Sequence, residues 1–451
     1  MLETLRLGGN EVDLNFTNLS NAKGWSQIIN HLLLLQKLSL RDYYHDISAS
    51  GISDSIPYWL WDPVHRLRYI NMPFNQISGT FPNNYIHISH LDLSFDNFSG
   101  PLPLFSLDFS EIGTINISKN KFNGSVSPVC NSTNKGVLAL LDPQLRFPDL
   151  SDHELSGEIP MWIGQRLSSL VFLSLQRNQF RGRIPYQLCG LKYLQILDLS
   201  VNKISNTIPP CLNNFTSMAK KVSLDRRIEH HLLDEVSSLW FIQLRHVDEA
   251  LLTWKGTKQN YPQLGLLLAI DLFCNKLTGE IPEELSSLQE LVALNLSRNF
   301  FTGKVLQKIG HLRQIEVLDL SRNKFSGNIP TSLSELTFLS VLDLSYNDLS
   351  GKIPTSTQLQ SFDLSSFSHN RRLFGPPISP NCSLVEPPPG KSAVAGEKDS
   401  DEFMKWFYTG MGLGFARSYY RYLDNANDWV YVTFVLLKAR VVRRIKALST
   451  R

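Results

Sequence analysis

Between Val317 and Pro354 the chain says nearly the same thing twice: VLDLSRNKFSGNIPTSLSELTFLSVLDLSYNDLSGKIP. Leu318-Asp319-Leu320-Ser321 comes back as Leu342-Asp343-Leu344-Ser345, and Asn323 comes back as Asn347, each 24 residues on. Repetition at a period of about 20 to 30 residues is the mark of a solenoid, because one such unit cannot bury its apolar face and must stack on a copy. The unit reads L-x-x-L-x-L-x-x-N. Its L-x-L core predicts a short strand with leucines on one face and the intervening residues on the other. The asparagine stands where the chain turns inward, and its amide can satisfy backbone groups that the turn leaves unpaired. Ser-Gly-x-Ile-Pro then lets the chain swing back, with glycine for the turn and proline to set φ.

The asparagine can be followed along the chain through Asn10, Asn75, Asn120, Asn178 and Asn202, then Asn275, Asn299, Asn323 and Asn347. Tyr43, Asp96 and His153 stand in its place in three degenerate turns. Eight turns precede a gap and four follow it. The expected fold is an α/β, right-handed solenoid with a parallel inner sheet and a broad concave face.

The Gly-x-Ile-Pro extension resembles the plant form of the leucine-rich repeat. The chain as a whole resembles the plant receptor-like proteins, which carry an extracellular repeat domain and no kinase. It is most similar to the class that perceives fungal elicitors, such as the tomato xylanase receptors and the apple scab resistance proteins. The text that carries the likeness includes Leu291–Asn299, KIPTSTQLQSFDLSSFSHN at Lys352–Asn370, FMKWFYTGMGLGF at Phe403–Phe415 and YRYLDNANDWVYVT at Tyr420–Thr433. The resemblance implies a plasma-membrane, single-pass receptor of plant immunity. It would bind a protein or peptide elicitor and signal through adaptor and co-receptor receptor kinases. A secreted inhibitor of wall-degrading enzymes uses the same repeat, and a decayed paralogue is a third reading. The acidic spacer, apolar segment and basic tail after residue 397 favour the receptor over the inhibitor.

The organisation read along the chain is repeats over residues 1–211, a non-repeat island over 212–263 and repeats again over 264–354. A degenerate cap (355–382), a proline-rich and acidic linker (383–402), a remnant of a transmembrane helix (403–416) and a basic tail (417–451) follow. A loop as long as the island in a compact array is functional or disordered. The family's island carries a Tyr-x8-Lys-Gly motif. Lys255-Gly256 match it, with His246 at the tyrosine place. Trp406 to Ala416 supplies 11 mostly apolar residues before Arg417, against about 20 for a span, so the expected span is broken. Met1 opens inside a repeat with no signal peptide before it. The basic tail fits the cytoplasmic side of a membrane, the alternative being a solvated terminus.

A net charge of +3 is too small to imply nucleic acid. Nine Asn-x-Ser/Thr sequons, at Asn15, Asn18, Asn97, Asn116, Asn123, Asn131, Asn214, Asn295 and Asn381, fit a glycosylated ectodomain; Asn116 and Asn295 lie in inner strands and also read as repeat text. Among five cysteines, Cys189 and Cys211 lie 22 residues apart in neighbouring turns, within disulfide reach if the turns stack. Cys274 reads as a free thiol. In the family's terms Cys130 lacks its partner, Met161 standing where a cysteine would follow Pro160. The cap motif has Phe374 in place of its cysteine, which leaves Cys382 without the cap disulfide.

No Walker loop, His-Glu-x-x-His, Cys-x-x-Cys or Gly-x-Ser-x-Gly occurs, so no enzyme, cofactor or metal site is expected. His230, His231 and Asp234 read as a solvated island loop rather than metal ligands. Gly410 and Gly414 fit a small-x-x-x-small helix contact in lipid, which the family uses to meet an adaptor kinase. The repeated aspartates Asp198, Asp271, Asp319 and Asp343 read as structural. Variable inner-face positions are the candidate contacts, since aromatic and arginine side chains carry most interface energy. Phe74, Phe95, Lys119, Phe172, Gln176 and Arg177 are assigned to ligand. Trp254, Lys255, Gly256, Arg298, Arg322 and Tyr346, around the four repeats after the island, are assigned to a co-receptor kinase.

Overall fold

A computed structural model of the protein describes residues 69–81, 90–102, 113–126, 145–220 and 267–378, with short segments elsewhere between residues 2 and 261. All of them belong to one unit, Met1–Cys382. Each regular turn contributes a three-residue strand, and these assemble into a 13-stranded inner sheet in sequence order. The register is one repeat per strand: Ile270 pairs with Leu294, Leu294 with Leu318 and Leu318 with Leu342, all in parallel. Alternation then does what the sequence predicts. Leu294, Leu318 and Leu342 point into the core at 3% exposure or less, as do Leu296, Leu320 and Leu344.

The first pair departs from this rule. Leu2–Gly8, expected to stack in parallel on the next turn, instead pairs antiparallel with Glu11–Phe16, and only Glu11–Phe16 runs parallel to Lys37–Asp42. Gly8 faces Glu11 across the pair.

The Ser-Gly-x-Ile-Pro segment is more than the return turn expected from sequence. Its residues form a second parallel sheet of eight strands, from Ser78–Gly79 to Phe300–Phe301, and a further three-stranded sheet of Ser326–Asn328, Asp348–Lys352 and Arg372–Phe374. The motif glycine lies in or just after these strands, with φ between +74° and +97° at Gly303 and Gly157 and their equivalents from Gly100 onward, a region that a side chain disfavours. The motif proline ends this extended segment and starts a short 3-10 helix. Pro185, Pro209, Pro282 and Pro330 all sit at that junction with φ from −61° to −69°. Buried between the two sheets and the helices is a column of phenylalanines two places after the turn residue, Phe98, Phe122, Phe180, Phe301 and Phe325, each with no exposed surface. The Phe301 and Phe325 rings stack at 6.1 Å.

The asparagine bonds alike in seven of the described turns. Asn323 Nδ2 donates to the carbonyls of Leu320 (3.1 Å), Ser321 (3.1 Å) and, one turn back, Leu296 (3.0 Å), while its Oδ1 accepts from the Phe301 N–H at 3.1 Å. The same set recurs at Asn120, Asn178, Asn202, Asn275, Asn299 and Asn347. It extends one turn further than the sequence frame. Asn370, assigned to the cap, donates to the Leu344, Phe367 and Ser368 carbonyls and accepts from the Leu349 N–H. Of the degenerate turns, Tyr43 lies outside the described residues. His153 keeps part of the role: its Nδ1 accepts from the Asn120 N–H at 3.3 Å, and burial lowers its pKa to about 4, so the ring is neutral.

At the island, core packing continues past residue 212. Leu212, Phe215 and Met218 are buried in the same core as the repeats, carried by a 3-10 helix at Pro210–Asn214 and a helical turn at Thr216–Ala219. Within the island two antiparallel hairpins are described, Glu229–Leu232 with Leu244–Val247 and Ala250–Trp254 with Thr257–Tyr261. The first pairs His230 with His246, and the second leaves Lys255-Gly256 as the residues between Trp254 and Thr257.

Candidate functional site

From Phe74 onward, the residue just before each described turn asparagine or its substitute adopts the left-handed conformation. Phe74, Phe95, Lys119, Arg177, Arg298, Arg322 and Tyr346 have φ between +51° and +61°. For a residue with a Cβ this costs about 1–2 kcal/mol. The turn geometry offsets it through cross-turn bonds. The Arg298 N–H donates to Ser321 O (3.0 Å), that of Arg322 to Ser345 O (2.9 Å) and that of Tyr346 to Ser368 O (2.9 Å), and the asparagine amide satisfies the carbonyls left over. These side chains recur at one-turn intervals as a ridge at the end of the inner strands.

The ridge is stacked. The Phe74 and Phe95 rings lie 4.2 Å apart at 23°, and the Lys119 ammonium sits 4.3 Å over Phe95. Arg177 pairs with Asp152 at 3.8 Å. The Arg322 guanidinium lies 3.9 Å over the Tyr346 ring, whose other neighbour is the His369 ring at 3.8 Å and 9°. Arg298 lies 5.7 Å over Phe273. Asp152, Val201, Cys274 and His369 share the same backbone conformation, though sequence reasoning misses them as members of the ridge. The signal that finds them is the column itself, the position before each turn residue, rather than the identity of the side chain.

Two of the ligand-face candidates are placed differently from expectation. Phe172 has no exposed surface and stacks on Phe147 at 4.1 Å, in an apolar cluster with Ile196 and Leu267 that is separate from the main core. Gln176 is 7% exposed and donates to Ser200 Oγ at 2.9 Å in the following turn. Both sit on the face that alternation directs away from the main core, yet neighbouring turns pack against them there. Neither is presented to solvent. Phe74 (47% exposed) and Tyr346 (38%) are.

The strand aspartates act on their own backbone. Asp198 Oδ1 accepts from the Ser200 N–H (2.9 Å) and Oγ (2.6 Å). Asp271 accepts from the Phe273 N–H, Asp319 from that of Ser321 and Asp343 from that of Ser345, at 2.9 to 3.0 Å. Asp198 and Asp271 face each other across one strand pair. Burial pushes the Asp149 carboxyl up to about 7. Burial, then the neighbouring Asp198, holds Asp271 well above the usual carboxylate range, and burial also raises Asp319.

Asn116 and Asn295 occupy this same row. Each Oδ1 accepts from its own sequon serine, Ser118 Oγ at 2.8 Å and Ser297 Oγ at 2.6 Å. Asn123 and Asn214 are exposed, the first in the second sheet and the second at the end of a 3-10 helix. Asn97 is half-buried at the start of a second-sheet strand. Cys189 and Cys211 are joined, with Cα atoms 5.6 Å apart. Beside them lies a groove of about 710 Å³ lined by Tyr186, Lys192, Asn214 and Lys220 among others. Cys274 is free.

The side chains of Asn15 and Trp254 lie outside the described residues, as do Asn18, Asn131, Lys255, Gly256, Asn381, Gly410 and Gly414. No helix among the described residues is long and apolar enough to cross a membrane, and among them no cluster of three or more metal-ligating side chains occurs.

The Leucine Rich Repeat family matches residues 169–191, 193–215, 267–288, 314–336 and 338–360. Receptor-like protein EIX2 of Solanum lycopersicum is 36% identical over 94% of this chain and 48% of its own length. Receptor-like protein EIX1 of the same plant is 33% identical over 89% and 47%, and Receptor-like protein 18 of Arabidopsis thaliana 34% over 93% and 55%. The chain thus spans about half the length of these relatives. Among solved structures, the Arabidopsis receptor kinase HAESA, in complex with the peptide hormone IDA and the co-receptor SERK1, shares 26% identity. That match has a TM-score of 0.52, over 78% of this chain and 52% of that one.

Proposed function

Since this chain belongs to the plant leucine-rich-repeat receptor-like proteins, we propose that it is the recognition part of a cell-surface immune receptor. In this reading it binds a microbial or apoplastic protein or peptide on its inner face and signals from the plasma membrane through partner receptor kinases. The observation that carries the reading is the ridge. Rigid repeats hold a file of aromatic and cationic side chains, Phe74, Phe95, Lys119 and Arg177 in one block and Arg298, Arg322 and Tyr346 in the other. Such side chains are enriched at binding hot spots, and a backbone bonded from turn to turn holds them in place before a partner arrives. The aspartate row is occupied with capping, which leaves the ridge as the variable surface. The HAESA complex, with its peptide and co-receptor, supports a division of labour between ligand and kinase contacts on such a scaffold.

In this division the block after the island, with Trp254, Lys255 and Gly256, meets the co-receptor. Binding of a SERK1-type kinase ectodomain to the secreted chain is the test, measured by surface plasmon resonance for wild type, Lys255→Ala and Arg322→Ala. Removing a cation that sits 3.9 Å over Tyr346 should weaken binding by about tenfold, on the order of 1–2 kcal/mol for an interface contact. Unchanged affinity in both variants removes the co-receptor assignment.

A further inference from the structure

Asp96 stands where the described regular turns on either side carry asparagine, at Asn75 and Asn120, and its chemistry does not match theirs unless it holds a proton. Its Oδ1 accepts from the Ile77 N–H at 2.9 Å, as Asn120 Oδ1 accepts from the Phe98 N–H one turn on. With that oxygen engaged as in the asparagines, Oδ2 is the atom that corresponds to their NH2 group. At Asn120 this group donates to the carbonyls of Ile117 and Ser118, three and two residues back in its own turn. The corresponding carbonyls in the Asp96 turn are those of Leu93 and Ser94. Asp96 is 6% exposed and its Oδ2 is buried without a hydrogen-bond partner. A carboxylate there would set a lone pair against carbonyl oxygens. A carboxylic acid would donate to them, as the amide does.

We propose that Asp96 is a proton-binding position: it works in the folded protein as a neutral carboxylic acid, a stand-in for asparagine, so that the closing of this turn is coupled to proton uptake. Charged neighbours do not reverse this. The preceding turn, Met72 to Ser78, brings no ionisable side chain. Its own turn brings Asp92, which repels a second negative charge, and His90. The following turn brings Lys119, whose ammonium lies over the Phe95 ring, and the exposed Lys121. Burial dominates and raises the carboxyl to about 9, against 3.8 in the unfolded chain; the backbone N–H groups of Ile77 and Asn75 work the other way, and less.

The folded state therefore keeps a proton that the unfolded chain has lost between about pH 4 and 9, and stability falls as pH rises through that window. His153, two turns on, has the opposite sign. Its pKa is lowered from 6.5 to about 4, so its contribution is complete above pH 6.5 and is lost as pH falls toward 4. The two slopes oppose each other between about pH 4 and 6.5. Asp149, raised to about 7, adds a slope of the same sign as Asp96 up to that pH, so above about pH 6.5 this block loses stability as pH rises.

The test is the melting temperature of the full chain at pH 5, 6.5 and 8.5 for wild type, Asp96→Asn and Asn120→Asp, with hydrogen exchange of single amides beside it. Asp96→Asn should gain on wild type steadily from pH 5 to pH 8.5, with the difference in melting temperature growing by about 2 °C or more between those pH values. Asn120→Asp should acquire a new loss at high pH. In wild type the protection of the Ile77 amide relative to that of Phe98 should fall at least ~10-fold between pH 6.5 and 8.5, a ratio that cancels base catalysis of exchange. It should stay constant in Asp96→Asn. Parallel melting profiles for wild type and Asp96→Asn, a constant Ile77 to Phe98 ratio in wild type, or failure of Asp96→Asn to fold would each overturn the proposal.

Discussion

At the scale of single residues, the repeat is held by two: an asparagine that bonds four backbone groups and a glycine whose φ of +74° to +97° a side chain disfavours. The glycines separate two costs that are usually confounded. A methyl group added at Gly124 (φ +85°) meets nothing within 4 Å, whereas at Gly351 (φ +83°) it would lie 2.6 Å from Asn328 Oδ1. Gly124→Ala should therefore lose only the backbone term, about 1 kcal/mol. Gly351→Ala should lose a few tenths of a kcal/mol more, since the exposed Asn328 side chain must swing aside as well. Equal losses in urea unfolding of the two variants would show that the contact in the folded state does not matter. The asparagine frame was legible from the sequence because identity repeats where the hydrogen bonds repeat. The ridge conformation was less so, because Phe, Lys, Arg, Val and Tyr at one position share a backbone shape and no chemistry.

Among elements, the join between the two repeat blocks is where the structure adds most. The 3-10 helices Tyr186–Gly190 and Pro210–Asn214 are tied by Cys189–Cys211 directly before the island, and Leu212, Phe215 and Met218 carry the core up to it. The pairing was readable from a spacing close to one repeat. The continued packing was harder to read, because Phe215 and Met218 stand where a later turn carries Leu288 and Leu291, so the repeat spacing runs on past residue 212 without its leucines. Cys189→Ala with Cys211→Ala removes a 22-residue loop constraint, worth about 3 kcal/mol in the chain-entropy account. The double variant should melt lower, with protection from exchange lost first around residues 186–219. Uniform loss across the solenoid would contradict a local role. The second sheet follows the same logic. Gly-x-Ile-Pro is visible as a motif, but its strands exist only because neighbouring copies pair.

For the whole molecule, each turn touches mainly the turns beside it, so stability is close to a sum of turn and interface contributions. Leu318 has no exposed surface and belongs to the main core. Leu318→Ala should cost roughly 2–5 kcal/mol, and hydrogen exchange should rise most in the turns around Leu294 and Leu342, with the turns around Leu173 and Leu197 nearly unchanged. Loss of protection spread evenly over both blocks would mean that the array unfolds as one unit across the island.

The period, the inward leucines, the turn asparagines and the disulfide spacing were determined by the sequence itself, because each is a local rule written once per turn and copied. Which variable residues remain available to a partner was decided only by the tertiary structure. Phe172 and Gln176 satisfy every sequence criterion for the exposed face, yet stacking on Phe147 and a bond to Ser200 take them out of it. Phe74 and Tyr346 satisfy the same criterion and stay accessible. The difference lies in what the adjacent turn places against each side chain, and a repeat frame aligned on its shared residues does not hold that information.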